Sequence, residues 1–219
     1  RYGNGPYYKV NGRTYKVLDT SYGYQERGVA SWYGKKFHGR KTSSQEPYDM
    51  YGMTAAHKSL PLPTYVRVRN LKNNRTIVVR VNDRGPFVDN RIIDLSYSAA
   101  LKLDMIRDGT SLVEVTALSF DEPPGNARVS PPPERKPPPD KAGQIFVQVG
   151  AFGEANNARR RYRQLRDSGI GPAFVHEDKS GSGTLYRVRI GPIANVNEYD
   201  SIVRQLQRMG ISDSHLVTN

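Results

Sequence analysis

Thr76-Ile-Val-Val-Arg-Val-Asn-Asp-Arg-Gly-Pro86 is a strand that runs straight into a rigid turn. Ile77, Val78, Val79 and Val81 are a β-branched run suited to a pleated, packed segment, and Asn82, Asp83, Gly85 and Pro86 are the residue types that end one. The stretch therefore delivers one acid, Asp83, to the rim of its sheet. Read alone, Asp83 is a turn residue. A chemical role has to come from the rest of the chain.

Working outward, Tyr65-Val-Arg-Val-Arg69 alternates so that Val66 and Val68 face inward, and it pairs with 76–82 across Lys72-Asn73-Asn74. Leu60-Pro-Leu-Pro63 holds the backbone extended before it. Upstream, Gly28-Val-Ala-Ser-Trp-Tyr-Gly34 reads as a short strand, followed by a polar loop to Met50 that carries Glu46 and Asp49, and then by Thr54-Ala-Ala-His57. Tyr7-Tyr-Lys-Val10 and Thr14-Tyr-Lys-Val17, joined through Asn11-Gly12, form a hairpin outside the main core. Downstream, Ser96 caps a short helix over 97–103 with Tyr97, Ala100 and Leu101 facing the core, and Leu112-Val-Glu-Val-Thr-Ala-Leu118 is a last strand. Many short strands with one small helix predict a mainly β module closed into a barrel.

A joint follows. Eight of the chain's 15 prolines lie between Asp121 and Lys141, a composition that forms neither ladder nor helix and predicts an extended spacer. Beyond it the rhythm changes: a strand from Gln144 to Val149, and a helix from Glu154 to Asp167 with Ala155, Ala158, Tyr162 and Leu165 on one side, ended by Gly169. Ala173 to Glu177 and Thr184 to Ile190 form a hairpin over Ser180-Gly-Ser-Gly183; Asn195 caps a helix carrying Ile202, Val203, Leu206 and Met209; Ser214 to Val217 is a last strand. The order βαββαβ predicts a small α+β, ferredoxin-like unit with both helices on one face of a four-stranded sheet. The expected domains are thus a hairpin extension over 1–27, a barrel over 28–120, a linker over 121–141 and the α+β unit over 142–219.

The net charge of +12 favours a polyanionic partner. Residues 1–141 carry +9 of it and 142–219 carry +3. With no cysteine, and with His38, His57, His176 and His215 in no zinc-ligand spacing, neither metal nor cofactor is expected. No Gly-rich phosphate loop, Gly-x-Ser-x-Gly elbow or His-Glu-x-x-His helix is present, so carboxylate chemistry remains. Asp83, Glu46 and Asp49, with His57, are the acid–base candidates, and glycosidic bond cleavage is a reaction that carboxylates perform. The residues alone leave open that Glu46 and Asp49 are solvated loop acids and that His57 is structural.

Six motifs in order resemble the rare lipoprotein A family: Gly28-Val-Ala-Ser-Trp-Tyr-Gly34, Gly39-Arg-Lys-Thr-Ser-Ser, Glu46-Pro-Tyr-Asp49, Met53-Thr-Ala-Ala-His57, Leu60-Pro-Leu-Pro63 and Val81-Asn-Asp-Arg-Gly-Pro-Phe87. Phe146-Val-Gln-Val-Gly-Ala-Phe152 and Tyr186-Arg-Val-Arg-Ile-Gly-Pro192 are similar to the sporulation-related repeat (SPOR) domain. The resemblance implies a six-stranded double-psi β-barrel acting as a lytic transglycosylase on peptidoglycan, and a SPOR unit binding glycan strands stripped of stem peptides. It places the catalytic acid on Asp83 and its active-site companions on Glu46, Asp49 and His57. Gln45 departs from the pattern, which has Gly before the Glu. As an acid, Asp83 would need a raised pKa, which Arg80 or Arg84 would oppose if either turned inward. The resemblance also implies a periplasmic protein with a lipid anchor to the outer membrane through a cysteine upstream of Arg1, and the chain is expected to be a monomer.

In the second unit, strand alternation turns Tyr186, Val188 and Ile190 toward the helices and leaves Leu185, Arg187 and Arg189 on the open face with Gln148. Gln148 and Arg187 lead as glycan contacts, and Arg189 reads equally as a solvated charge. Two other functions fit parts of the chain. A double-psi barrel can bind or loosen polysaccharide without cutting it, as expansin-like proteins do. Nucleic-acid binding draws on the charge, but the open sheet lacks paired aromatics and the basic residues are dispersed, so no nucleic acid is expected.

Overall fold

The computed structural model describes residues 3–118, 144–179 and 183–218. Residues 121–141 and the turn at Ser180 lie outside the described residues. The chain divides into two compact units, Arg1–Ala142 and Gly143–Asn219.

In the first, β1 (Tyr7–Val10) and β2 (Arg13–Lys16) form a two-stranded sheet of their own, turned by Asn11 and Gly12 at φ 50° and 79°. The barrel strands are β3 (Gln25–Trp32), β4 (Thr54–His57), β5 (Thr64–Asn70), β6 (Thr76–Asp83), β7 (Arg91–Leu95) and β8 (Thr110–Ala117). They close in the order β3-β7-β4-β6-β5-β8. Two pairs, β3–β7 and β4–β6, are parallel and the remaining pairs are antiparallel. The first strand starts at Gln25, inside the stretch assigned to the hairpin extension.

Alternation sets the core. Val66 and Val68 of β5, Val79 and Val81 of β6, Ile93 and Leu95 of β7, and Val113 and Val115 of β8 are all buried in one cluster. β7 was not legible in sequence: five residues between Asn90 and Ser96 are too short a run to stand out beside Asp94. The helix α1 (Tyr97–Lys102) is capped as expected, Ser96 Oγ accepting from Ala99 N at 3.2 Å. Its inward face differs from the expected one. Ala99 and Ala100 are buried and Leu101 is 54% exposed, because the helix is short and the inward apolar position passes to Leu103 just beyond it.

The second unit runs β9 (Ile145–Phe152), α2 (Ala155–Asp167), β10 (Ala173–Asp178), β11 (Leu185–Ile190), α3 (Val196–Arg208) and β12 (His215–Thr218). The antiparallel sheet order β10-β11-β9-β12 is the ferredoxin-like arrangement that βαββαβ predicts. Asn195 caps α3 by accepting from Glu198 N at 2.9 Å, and Ala158, Leu165, Ile202, Val203 and Leu206 are the buried helix residues expected from their spacing.

One close approach in the barrel is testable. A Cβ on Gly28 would lie 2.6 Å from Ile92 Cγ2. Gly28→Ala should therefore destabilise the barrel by about 1–3 kcal/mol, read from denaturant unfolding followed by fluorescence of Trp32, the only tryptophan.

Candidate active site

Asp83 ends β6, and its direction is set by a register shift. Ala55 pairs with Val81 while Ala56 pairs with Asp83, so two residues of β6 pass for one step of β4. Simple alternation from core residues Val79 and Val81 would turn Asp83 inward. The bulge turns it to the outer face beside Ala56.

A loop then holds the carboxylate from one side. Asp83 Oδ1 accepts from Ser43 N at 2.8 Å, from Ser43 Oγ at 2.7 Å and from Arg84 N at 2.8 Å. Among the described residues Oδ2 has no hydrogen-bond partner. The Thr42–Glu46 loop is itself tied down by Ser44 N to Asn82 O at 3.2 Å and Thr42 N to Glu46 O at 2.8 Å. Inside it, Gln45 adopts φ 70°, a left-handed conformation that costs a side-chain-bearing residue roughly 1–2 kcal/mol. That backbone explains why glycine suits the position, and Gln45 fills it without releasing the loop.

Neither flanking arginine turns to Asp83. Arg80 makes a two-pronged ion pair with Glu46, Nη1 to Oε1 at 2.7 Å and Nη2 to Oε2. Arg84 donates to the carbonyl oxygens of Gly3 at 2.6 Å, Leu60 at 2.5 Å and His57 at 3.2 Å, with the Tyr8 ring 5.6 Å away. The N-terminal segment and the hairpin thus anchor the residue next to Asp83.

The four sequence-predicted residues separate in space. Glu46 joins the network around Asp83 through Ser44 and Asn82, and the Arg80 hydrogen bonds hold its pKa down to about 2, so it stays a carboxylate. Asp49 is an exposed turn acid that accepts from Tyr51 N at 2.9 Å, with its carboxylate 3.9 Å from His38 Nδ1. His57 lies in β4 on the face opposite Ala56, 2% exposed. Its Nδ1 accepts from Ser59 N and Leu60 N at 3.2 and 3.1 Å, so Nε2 carries the proton and donates to Tyr24 Oη at 2.8 Å; Tyr24 in turn donates to Glu26. Burial lowers the His57 pKa to about 3 and keeps the ring neutral.

Sequence reasoning missed two residues on this face, Tyr33 and Asp94. The buried side-chain polar atoms left without a hydrogen bond among the described residues are Tyr33 Oη, Thr54 Oγ1 and Asn82 Oδ1. Tyr33 and Thr54 lie close to each other, and Asn82 directly precedes Asp83 in β6. Asp94 is taken up below. No group of His, Asp or Glu among the described residues has the arrangement of a metal site.

On the α+β unit, pairing places Phe174, Arg189, Gln148 and His215 in one row across the sheet. Arg189 Nε donates to Gln148 Oε1 at 3.4 Å, and Gln148 Nε2 lies 3.4 Å from His215 Nε2. Burial, with Arg187 and Arg189 adding to it, lowers the His215 pKa, so its Nε2 accepts. The row is less open than expected: Gln148 is 3% and Arg189 9% exposed, so Arg189 is no freely solvated charge. Arg187 pairs with Asp178 at 2.8 Å and Leu185 is exposed. His215 was missed because its strand carries no motif.

The lytic transglycolase model, a double-psi β-barrel, matches residues 25–115, and the SPOR domain model matches 141–217. The endolytic peptidoglycan transglycosylase RlpA of Vibrio cholerae is 37% identical over 217 residues, covering 99% of this chain and 78% of that protein. The chain belongs to the RlpA family. The RlpA protein of Neisseria meningitidis serogroup B is 45% identical over 189 residues, 86% of this chain and 74% of that protein. Among solved structures, the RlpA SPOR domain of Pseudomonas aeruginosa is 25% identical with a TM-score of 0.33, covering 34% of this chain and 99% of that one. The closed six-stranded barrel and the SPOR-type α+β unit are the folds that the sequence motifs implied.

The buried histidine gives a signed test. Its folded pKa of about 3 lies below the usual 6.5, so the unfolded chain binds a proton that the folded chain refuses, and stability falls as pH drops below 6.5. Relative to His57→Gln, the wild-type barrel should lose about 2 kcal/mol between pH 7 and pH 5, measured by Trp32-detected unfolding at each pH.

Proposed function

We propose that the chain is a lytic transglycosylase that cleaves the β-1,4 bond between N-acetylmuramic acid and N-acetylglucosamine in peptidoglycan glycan strands, leaving 1,6-anhydro ends. The observation that carries this reading is the half-committed carboxyl of Asp83. One oxygen is fixed by three donors, and the other faces outward on a barrel of the RlpA family. A hydrolase must also activate water; here the C6 hydroxyl of the muramic acid attacks its own anomeric carbon, and the nucleophile is intramolecular. The reaction then needs one proton delivered to the leaving oxygen and one withdrawn from the C6 hydroxyl, and Asp83 Oδ2 can serve both needs in turn.

The other residues support it. Glu46, ionised and clamped to Arg80, fixes Asn82 and the Ser43 loop rather than exchanging protons. His57 positions the 57–60 turn whose carbonyls hold Arg84. Asp49 sits in an exposed turn, and its partners are Tyr51 and His38 rather than the groups around Asp83.

Stem-peptide removal leaves the lactyl carboxylates of the strand free, so denuded glycan is polyanionic and suits the +12 net charge. Gln148 and Arg189, with Arg187 and Leu185 further along β11, offer it hydrogen bonds, cations and an apolar contact. Holding the strand on the SPOR unit raises the local substrate concentration for the barrel. Such a substrate places the protein in the cell envelope on the periplasmic side, and a lipid anchor belongs to the same reading.

Asp83→Asn should abolish anhydro ends, assayed by mass spectrometry on denuded strands, with retention on the same strands unchanged. Arg187→Ala should weaken retention about tenfold and leave anhydro product from short soluble glycans at the wild-type level. Activity surviving in Asp83→Asn contradicts the assignment, and a wild-type protein that binds strands without product makes it a non-cutting polysaccharide binder.

A further inference from the structure

Proton delivery needs a carboxyl that is protonated before the glycosidic bond breaks, and Asp83 has a neighbour built for that state. Strand pairing sets Asp83, Ala56, Asp94 and Ser31 in one row across β6, β4, β7 and β3. Directly paired residues point to one face, and this row takes the outer one, because Ala30, Ala55, Ile93 and Leu95 fill the core from the alternate positions. Two strand spacings, roughly 10 Å between Cα atoms, separate the two acids. Only Ala56 stands between them in the row. Carboxyl pairs about 5–9 Å apart are what flank a scissile glycosidic bond.

The two acids are also held alike. Ser31 Oγ donates to Asp94 Oδ1, and among the described residues Oδ2 of Asp94, like that of Asp83, has no hydrogen bond. Burial raises the Asp94 pKa; Ser31, Arg91 and Lys58 oppose the rise and Asp83 adds to it. Tyr33 and Tyr48 also lie near Asp94; burial first, with nearby acids adding to it, pushes both hydroxyls up and keeps them neutral. Tyr33 feels both Asp83 and Asp94. A donor that starts protonated and an acceptor fixed through one oxygen are the two halves of the proton traffic.

We propose that Asp94 is a second catalytic carboxyl that divides the reaction with Asp83, an inference that rests on the lytic transglycosylase reading. Asp94 gives its proton to the N-acetylglucosamine O4 as the bond from that oxygen to the muramic C1 breaks. The C6 oxygen bonds to C1 and its proton passes to Asp83. The cycle ends with Asp94 ionised and Asp83 protonated, and exchange with solvent restores the starting pair.

The test uses two substrates, denuded strands and an aryl β-glycoside of N-acetylglucosaminyl-N-acetylmuramic acid, whose phenolate leaves without a proton. Asp94→Asn keeps the side-chain shape and an acceptor for Ser31. It should cut strands about 100-fold or more slowly and keep the aryl glycoside within about tenfold of wild type, while Asp83→Asn fails on both. Ser31→Ala, which retains Asp94 but removes a bond that favours its ionised form, should move the alkaline limb of the pH–rate profile to higher pH. Wild-type strand cleavage by Asp94→Asn, equal loss on both substrates, or an unmoved limb in Ser31→Ala overturns the proposal. A wild-type protein that yields no anhydro ends overturns the underlying reading along with it.

Discussion

The structure depends on one register shift, the step at which Asn82 and Asp83 of β6 pass a single step of β4 between Ala55 and Ala56. Before the shift the strand serves the core: Val79 and Val81 are 1% and 0% exposed. After it, Asp83 faces the outer surface and the chain leaves the sheet through Gly85 at φ 136°, a conformation that only glycine adopts readily. A bulge costs ladder hydrogen bonds and is kept where a side chain must be re-aimed. Much of the surrounding structure holds that aim. Ser43 fastens one oxygen of Asp83, Arg80 and Glu46 brace Asn82, and Arg84 is pinned to main-chain carbonyls contributed by the N-terminal segment and the 57–60 turn.

This arrangement separates roles that look alike in sequence. Glu46 and Asp83 are both acids near one loop, yet a two-pronged arginine keeps the first ionised and leaves the second with an uncommitted oxygen. His57 lies one residue from Ala56, yet strand alternation sends it to the opposite face, where its ring nitrogens are spent on a turn and on Tyr24. Closeness along the chain therefore does not bring a side chain to the Asp83 face; the alternation of the strand decides it.

Most of the fold was legible in sequence because it rests on local signals. The Val66/Val68 and Val79/Val81 alternation, the Asn11-Gly12 hairpin, the Ser96 and Asn195 caps and the βαββαβ order all follow from neighbours along the chain. What stayed hidden depends on long-range pairing. β7 is short, and its membership in the barrel comes from parallel pairing with β3, which no local pattern announces. Asp94 joins the Asp83 row through the pairing of β7 with β4 and of β4 with β6, although the two acids stand only eleven residues apart in sequence. The inward face of α1 was misjudged at Leu101 for a related reason, since in so short a helix the packing of the following turn decides the phase. Motif and alternation pointed to Asp83, Gln148 and Arg187 as candidates, whereas the places of His215 beside Gln148 and of Tyr33 near Asp83 depend on contacts that only the fold brings together.

The most direct test is a crystal structure of the Asp83→Asn protein with an intact N-acetylglucosamine–N-acetylmuramic acid tetrasaccharide. The account predicts that the scissile oxygen lies about 3 Å from an Asp94 oxygen and the muramic C6 hydroxyl about 3 Å from residue 83. A strand bound on the barrel with its scissile bond out of reach of that row, whether toward the His57 side or along the exposed loop, would contradict it.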